Sequence, residues 1–167
     1  MDIRKQITVA VDHSPAAGAA LRWAVGEAAR LGAEVVAVHV IDVRERADLA
    51  HVPHLGAARA QACVATQQWV HDAIDGTLVD LQDPDATHDP FSEETPDRPR
   101  VSVYTATGGI QDELMSAARS AVALVLGQPD GAAHEQLADQ LASRCACPVI
   151  LVDETGRAVP VREPVLS

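Results

Sequence analysis

The sequence has almost no aromatic residues: 2% of 167, with one Phe, one Tyr and two Trp. A core built on stacked rings is therefore excluded, and Val, Leu, Ile and Ala must fill it from the 47% hydrophobic content. Positive charge is also scarce. Thirteen Lys and Arg against 24 Asp and Glu leave a net charge of −11, which argues against a nucleic-acid partner, because phosphates are held by cationic side chains and bases by rings. No apolar run approaches the ~18 residues that span a bilayer. The opening MDIRKQITVAVD enters a strand pattern without the apolar stretch of a signal peptide. A cytoplasmic protein with no membrane partner is expected.

Three cysteines, Cys63, Cys145 and Cys147, are too few for a disulfide framework, and Cys145-x-Cys147 lacks the two-residue spacer of redox and zinc motifs. The seven histidines are scattered apart from His51 and His54, so no metal set is expected. A Walker lysine loop, a G-x-S-x-G elbow and an H-E-x-x-H pair are all missing, and no enzyme activity is expected.

The chain is long enough for one domain, and its apolar content separates it from disordered sequences. Ile7-Thr8-Val9-Ala10-Val11 reads as a β-branched strand ending at Asp12, and Ser14-Pro15 supplies a helix cap followed by proline in the first turn. Leu21, Ala24, Val25, Ala28 and Leu31 repeat at helical spacing up to Gly32. Glu34 to Ile41 is nearly continuous in apolar residues, as suits a strand covered on both faces. This strand, helix and strand form a βαβ unit.

A helix is predicted over 57–81, with Ala62, Ala65, Trp69, Val70, Ala73 and Ile74 on one side. The stretch from about 82 to 100 is rich in proline and carboxylates and reads as a mobile acidic loop. A strand follows at Val101 to Thr105 and a helix at Ile110 to Arg119. A strand at Ala121 to Leu126, a helix at Glu135 to Arg144 and a last strand at Val149 to Val152 complete the series. The fold class is α/β: a doubly wound, Rossmann-like, five-stranded parallel sheet with helices on both faces, occupying residues 1–153. Residues 154–167 are expected as a loosely held tail.

In such a sheet, ligands sit beyond the carboxyl ends of the strands where the strand order reverses. Candidate positions are therefore Asp12, His13 and Ser14, the end of the second strand at Val40, and the segment from Gly127. An aspartate at a strand's carboxyl end can accept hydrogen bonds from ribose hydroxyls, or it can simply turn the chain before Ser14. His13 would lie over the pocket, and Trp23 and Trp69 read as packing residues.

Four stretches in this order, ITVAVDHSPAAGAALRWAVGEAARLGAEVVAVHVIDV, TGGIQDEL, LVLG and CACPVILV, resemble the universal stress protein family over about residues 5–153. The resemblance implies a regulatory protein, usually dimeric, on a fold related to adenine-nucleotide-binding folds. Asp12, Val40 and Gly127 match the positions that touch nucleoside, adenine and phosphates in ATP-binding members. The glycine loop departs from that form, because the second and third glycine positions counted from Gly127 are Asp130 and Gln140.

Phosphate loops use glycines so that backbone N–H groups can converge on the oxygens. Here Asp130 and Glu135 would each oppose a triphosphate by roughly 1 kcal/mol or more. The reading is a homodimeric stress sensor or adaptor with a degenerate site and no cofactor. The alternative is a module for AMP, cyclic AMP or, less favourably, ATP. The strand Val149, Ile150, Leu151 and Val152 is expected as an open apolar edge that a second copy covers, unless the tail containing Pro160 and Pro164 shields it. A protein partner is assigned to the acidic loop.

Overall fold

The computed structural model describes residues 5–42, 55–74, 80–81, 99–128 and 132–161. Along the chain these form β1 (Gln6–Ala10), α1 (Pro15–Leu31), β2 (Glu34–Asp42), α2 (Leu55–Ala73), β3 (Asp80–Leu81), β4 (Arg100–Gly108), α3 (Ile110–Ala117), β5 (Ala123–Gly127), α4 (Ala132–Arg144), β6 (Val149–Val152) and β7 (Ala158–Pro160). They build one sheet in the order β3-β4-β2-β1-β5-β6-β7. Every pairing is parallel except β6 with β7. The five expected strands, β1, β2, β4, β5 and β6, form the body of this doubly wound sheet.

Continuous apolar runs become central strands here because both faces are covered. Successive side chains of a strand point to opposite faces, and β5 shows the result: Val125 joins the cluster containing Leu21 and Val70 of α1 and α2, whereas Leu124 and Leu126 join Leu114 of α3 and Leu141 of α4. α1 begins as its sequence dictates. Ser14 is the N-cap, its side chain accepting from the Ala17 N–H, and Pro15 opens the first turn. The helix ends where Gly32 takes φ 68° and donates its N–H to the Ala28 carbonyl.

Several expectations need correction. The helix predicted over 57–81 ends at Ala73, and Asp80–Leu81 instead pairs with Arg100 and Val101 as β3. Gly76 and the β-branched Thr77 and Val79 in the intervening sequence disfavour a longer helix. On α2, Val70 and Ile74 are buried and Trp69 and Ala73 pack against the core as expected, but Ala65 is exposed and Thr66 is buried beside it. Thr66 can be buried because its hydroxyl is hydrogen-bonded. Among the described residues the sheet has seven strands, not five.

The seventh strand changes the status of β6. Val149, Ile150, Leu151 and Val152 are not an open edge, because the tail returns antiparallel to them with Ile150 opposite Pro160, Leu151 opposite Val159 and Val152 opposite Ala158. Residues 158–160 of the expected loose tail are thus a paired strand. Of the acidic stretch at about 82–100, residues 82–98 lie outside the described residues and Arg100 already opens β4, and the pair His51 and His54 and the last six residues also lie outside them.

Candidate functional site

The strand order reverses between β1 and β5, with β2 and β4 on one side and β6 on the other. At the carboxyl ends of these strands lies a cleft lined by Ala10, Val11 and Asp12 after β1, Val38, His39 and Val40 of β2, and Leu126 and Gly127 of β5. Ile110 and Leu114 of α3 and Leu137 of α4 complete its wall. The candidates Asp12, Val40 and Gly127 therefore meet in one place. The cleft measures about 70 Å³, against the roughly 300–1,000 Å³ of pockets that enclose a whole small ligand. Its lining is mostly aliphatic, and among the described residues it contains the Asp12 carboxylate and no Lys or Arg.

His13 and Ser14 are not in this cleft. They line an open groove of about 430 Å³ between α1 and α2, with Pro15, Gly18, Arg22, Trp69, Ala73 and Glu154. The hydrogen bonds of the turn explain the separation. Asp12 Oδ1 accepts from the Ser14 backbone N–H at 3.0 Å, and Ser14 Oγ accepts from the Ala17 N–H at 3.1 Å. The Asp-His-Ser sequence is thus a turn and helix cap, in which the serine hydroxyl serves the backbone.

His13 itself has φ 64°, a left-handed conformation for a residue with a side chain. Its ring holds it there. The imidazole stacks on His39 with centroids 4.8 Å apart and on Trp69 at 5.4 Å, and its Nε2 lies 2.9 Å from Thr66 Oγ1. His39 in turn places Nδ1 2.8 Å from the Val11 carbonyl. A carbonyl only accepts, so Nδ1 carries a proton. Desolvation first, and the neighbouring His39 second, lower the His13 pKa from 6.5, while Asp12 opposes them. The stack thus links the cleft wall to the groove through His13.

Sequence reasoning placed Trp69 among packing residues and His39 among scattered histidines. One signal was available for His39, which directly precedes Val40 at a strand end already marked as a candidate.

Gly127 has a packing role. A Cβ there would lie 2.6 Å from Ala16 C and Ala17 N, so its bare backbone lets the end of β5 meet the first turn of α1. Cys145 and Cys147 are half-buried beside the α3–α4 core, and burial raises both thiol pKa values. Among the described residues no three His, Cys, Asp or Glu side chains group closely enough to hold a metal.

The family model for universal stress proteins matches residues 4–153. The chain belongs to the universal stress protein family. Among solved structures, a family protein from Burkholderia pseudomallei matches with TM-score 0.57 at 20% identity, over 91% of this chain and 98% of its own. A universal stress protein from Archaeoglobus fulgidus in complex with dAMP matches with TM-score 0.57 at 21% identity, over 90% and 98%. Another, in complex with cAMP, matches with TM-score 0.57 at 16% identity, over 92% and 99%. At these identities the likeness is one of fold. No curated protein matches the sequence. Within this universal stress protein, no helix among the described residues is long and apolar enough to cross a membrane.

Proposed function

We propose that this universal stress protein is a regulatory binding module, a sensor rather than an enzyme, whose cleft takes the adenine end of a nucleoside monophosphate or cyclic nucleotide in preference to Mg²⁺–ATP. The observation that carries the reading is the convergence of three strand ends on a largely aliphatic cleft at which the described lining residues include the Asp12 carboxylate and no Lys or Arg. An aliphatic wall suits a flat ring, and Asp12 is placed for a ribose hydroxyl. A triphosphate would meet Asp12 and, from the sequence, Asp130 and Glu135, while Gly127 is committed to packing against α1. The cAMP and dAMP complexes of the two family structures support the ligand class. A cytoplasmic role in stress adaptation accords with the family.

Calorimetric titration of the purified chain with AMP, cyclic AMP and Mg²⁺–ATP tests this. Binding of AMP or cyclic AMP, lost in Asp12→Ala, is expected, with Mg²⁺–ATP weaker than either. Tighter binding of Mg²⁺–ATP would overturn the reading. The small volume of the cleft favours a second reading, an adaptor that uses no nucleotide and recruits a protein through the acidic segment at 83–97. Silence from all three ligands would favour it, provided that deleting that segment removes a partner.

A further inference from the structure

The open groove between α1 and α2 measures about 430 Å³ against about 70 Å³ for the cleft, which places it within the range of pockets that enclose a small ligand. It also continues beyond Arg22. A second hollow of about 290 Å³, walled by Ala19, Trp23, Thr155 and Gly156, adjoins it, and Arg22 and Glu154 line both. The two tryptophans of the chain therefore flank one pair of opposite charges.

These charges are placed without being paired. Arg22 Nη1 donates to the Ala73 carbonyl at the end of α2 at 3.3 Å, which orients the guanidinium and leaves further N–H groups for a partner. Glu154 is exposed, and neither it nor Arg22 forms an ion pair with another described residue. Among the described lining residues Arg22 is the one cation and Glu154 the one anion at neutral pH, because the His13 pKa is held below 6.5. The floor is cleared at Gly18. A Cβ there would lie 3.4 Å from Arg22 Nη1 and 3.8 Å from Trp69 Cζ2, and a longer side chain would fill the space beside the guanidinium. The aromatic wall is fixed in advance, with Trp69 stacked on His13. Ser14 Oγ accepts from the Ala17 N–H and keeps its own proton to donate.

We propose that this groove is a second ligand site, built for a free α-amino acid with a flat apolar side chain: the carboxylate lies on Arg22, the ammonium on Glu154 and the side chain along Trp69 and Pro15. The charges select a zwitterion. A carboxylate alone gains Arg22 but faces Glu154, and an amine alone gains Glu154 and the face of Trp69 but meets Arg22. Only a ligand carrying both charges close together satisfies both residues at once. The inference does not depend on what the cleft binds, since no residue lining the cleft lines the groove.

Trp23→Phe in the full chain leaves Trp69 as the sole tryptophan, and its emission reads the groove directly. The probes are L-phenylalanine, phenylpropionate, which lacks the ammonium, and phenethylamine, which lacks the carboxylate. L-phenylalanine is expected to change the Trp69 emission saturably within the millimolar range, with each analogue about tenfold weaker or worse. Arg22→Gln and Glu154→Gln, each added to that background, should weaken L-phenylalanine by about the same factor. Calorimetric titration of the wild type with the three compounds repeats the ranking without the Trp23 substitution. No saturable response to L-phenylalanine by either method would overturn the proposal. So would an analogue that binds as tightly as L-phenylalanine, or an unchanged affinity in either folded variant. Arg22→Gln also removes a bond to the end of α2; should it fail to fold, the exposed Glu154→Gln decides.

Discussion

Two strands of this sheet run into turns built on the same aspartate device, and the two turns do opposite things. β1 leads into Asp12-His13-Ser14-Pro15 and β6 into Asp153-Glu154-Thr155-Gly156. In both, the aspartate carboxylate accepts from the N–H two residues on, at 3.0 Å from Ser14 and 2.9 Å from Thr155. The fourth residue separates them. Pro15 fixes φ for the first helical turn, and the helical spacing beyond it buries α1. Gly156 takes φ 87° and sends the chain back along the strand it left. One local device therefore opens the edge of the cleft in one case and seals the edge of the sheet in the other. The choice lies in the fourth residue and in the apolar period of the segment after it.

The comparison breaks most sharply at the glycines beside each turn. Gly127 meets the backbone of Ala16 and Ala17, which cannot swing aside as a side chain could, whereas nothing lies within 4 Å of a Cβ built on Gly156. Gly127→Val is expected to cost about 3 kcal/mol by overpacking, read as a lower urea midpoint with an unchanged slope. Gly156→Ala should cost only its left-handed strain, about 1–2 kcal/mol. Equal losses would show that the contact of β5 with α1 is slack. A smaller step separates the two hydroxyl residues. Ser14→Ala removes a helix cap and should cost about 1 kcal/mol, and Thr155→Ala, at an exposed turn, should cost less in the same titration.

The β1 end of this comparison was largely legible in the sequence, and the β6 end was not. Ser14-Pro15 and Gly32 bracket a helix through local chemistry alone, and the runs around Val36 and Leu124 give buried strands for the same reason. Strand order then brings Asp12, Val40 and Gly127 to one cleft. The stack of His39, His13 and Trp69 was not legible, because it joins β2, a turn and α2 through contacts that no spacing encodes. Gly127 was open to a phosphate reading because motif position does not reveal what its missing Cβ makes room for. β7 was missed because prolines in the tail argued against a strand, although Asp153 and Gly156 carry a hairpin signal and Pro160 is tolerated with its nitrogen turned outward.

Acidification should separate the two turns with the least perturbation of all. At the first, the folded chain holds the His13 pKa below 6.5 through desolvation and the nearby His39, against the pull of Asp12. The unfolded chain then takes up the proton first, so stability from the neutral stack is present above about 6.5 and is lost as pH falls through the folded value. At the second, hydrogen bonds from Thr155 and then from the Arg157 N–H hold the Asp153 pKa below 3.8. Its contribution is present above about 3.8 and is lost only as pH falls through a value lower still. The His13 turn should therefore loosen first. Following the His13 ring resonances and the Thr155 amide through one pH titration would show it, with the ring shifting while the amide stays protected. Simultaneous loss of both would mean that the turns melt as one unit and that the β6–β7 pairing is coupled to the cleft.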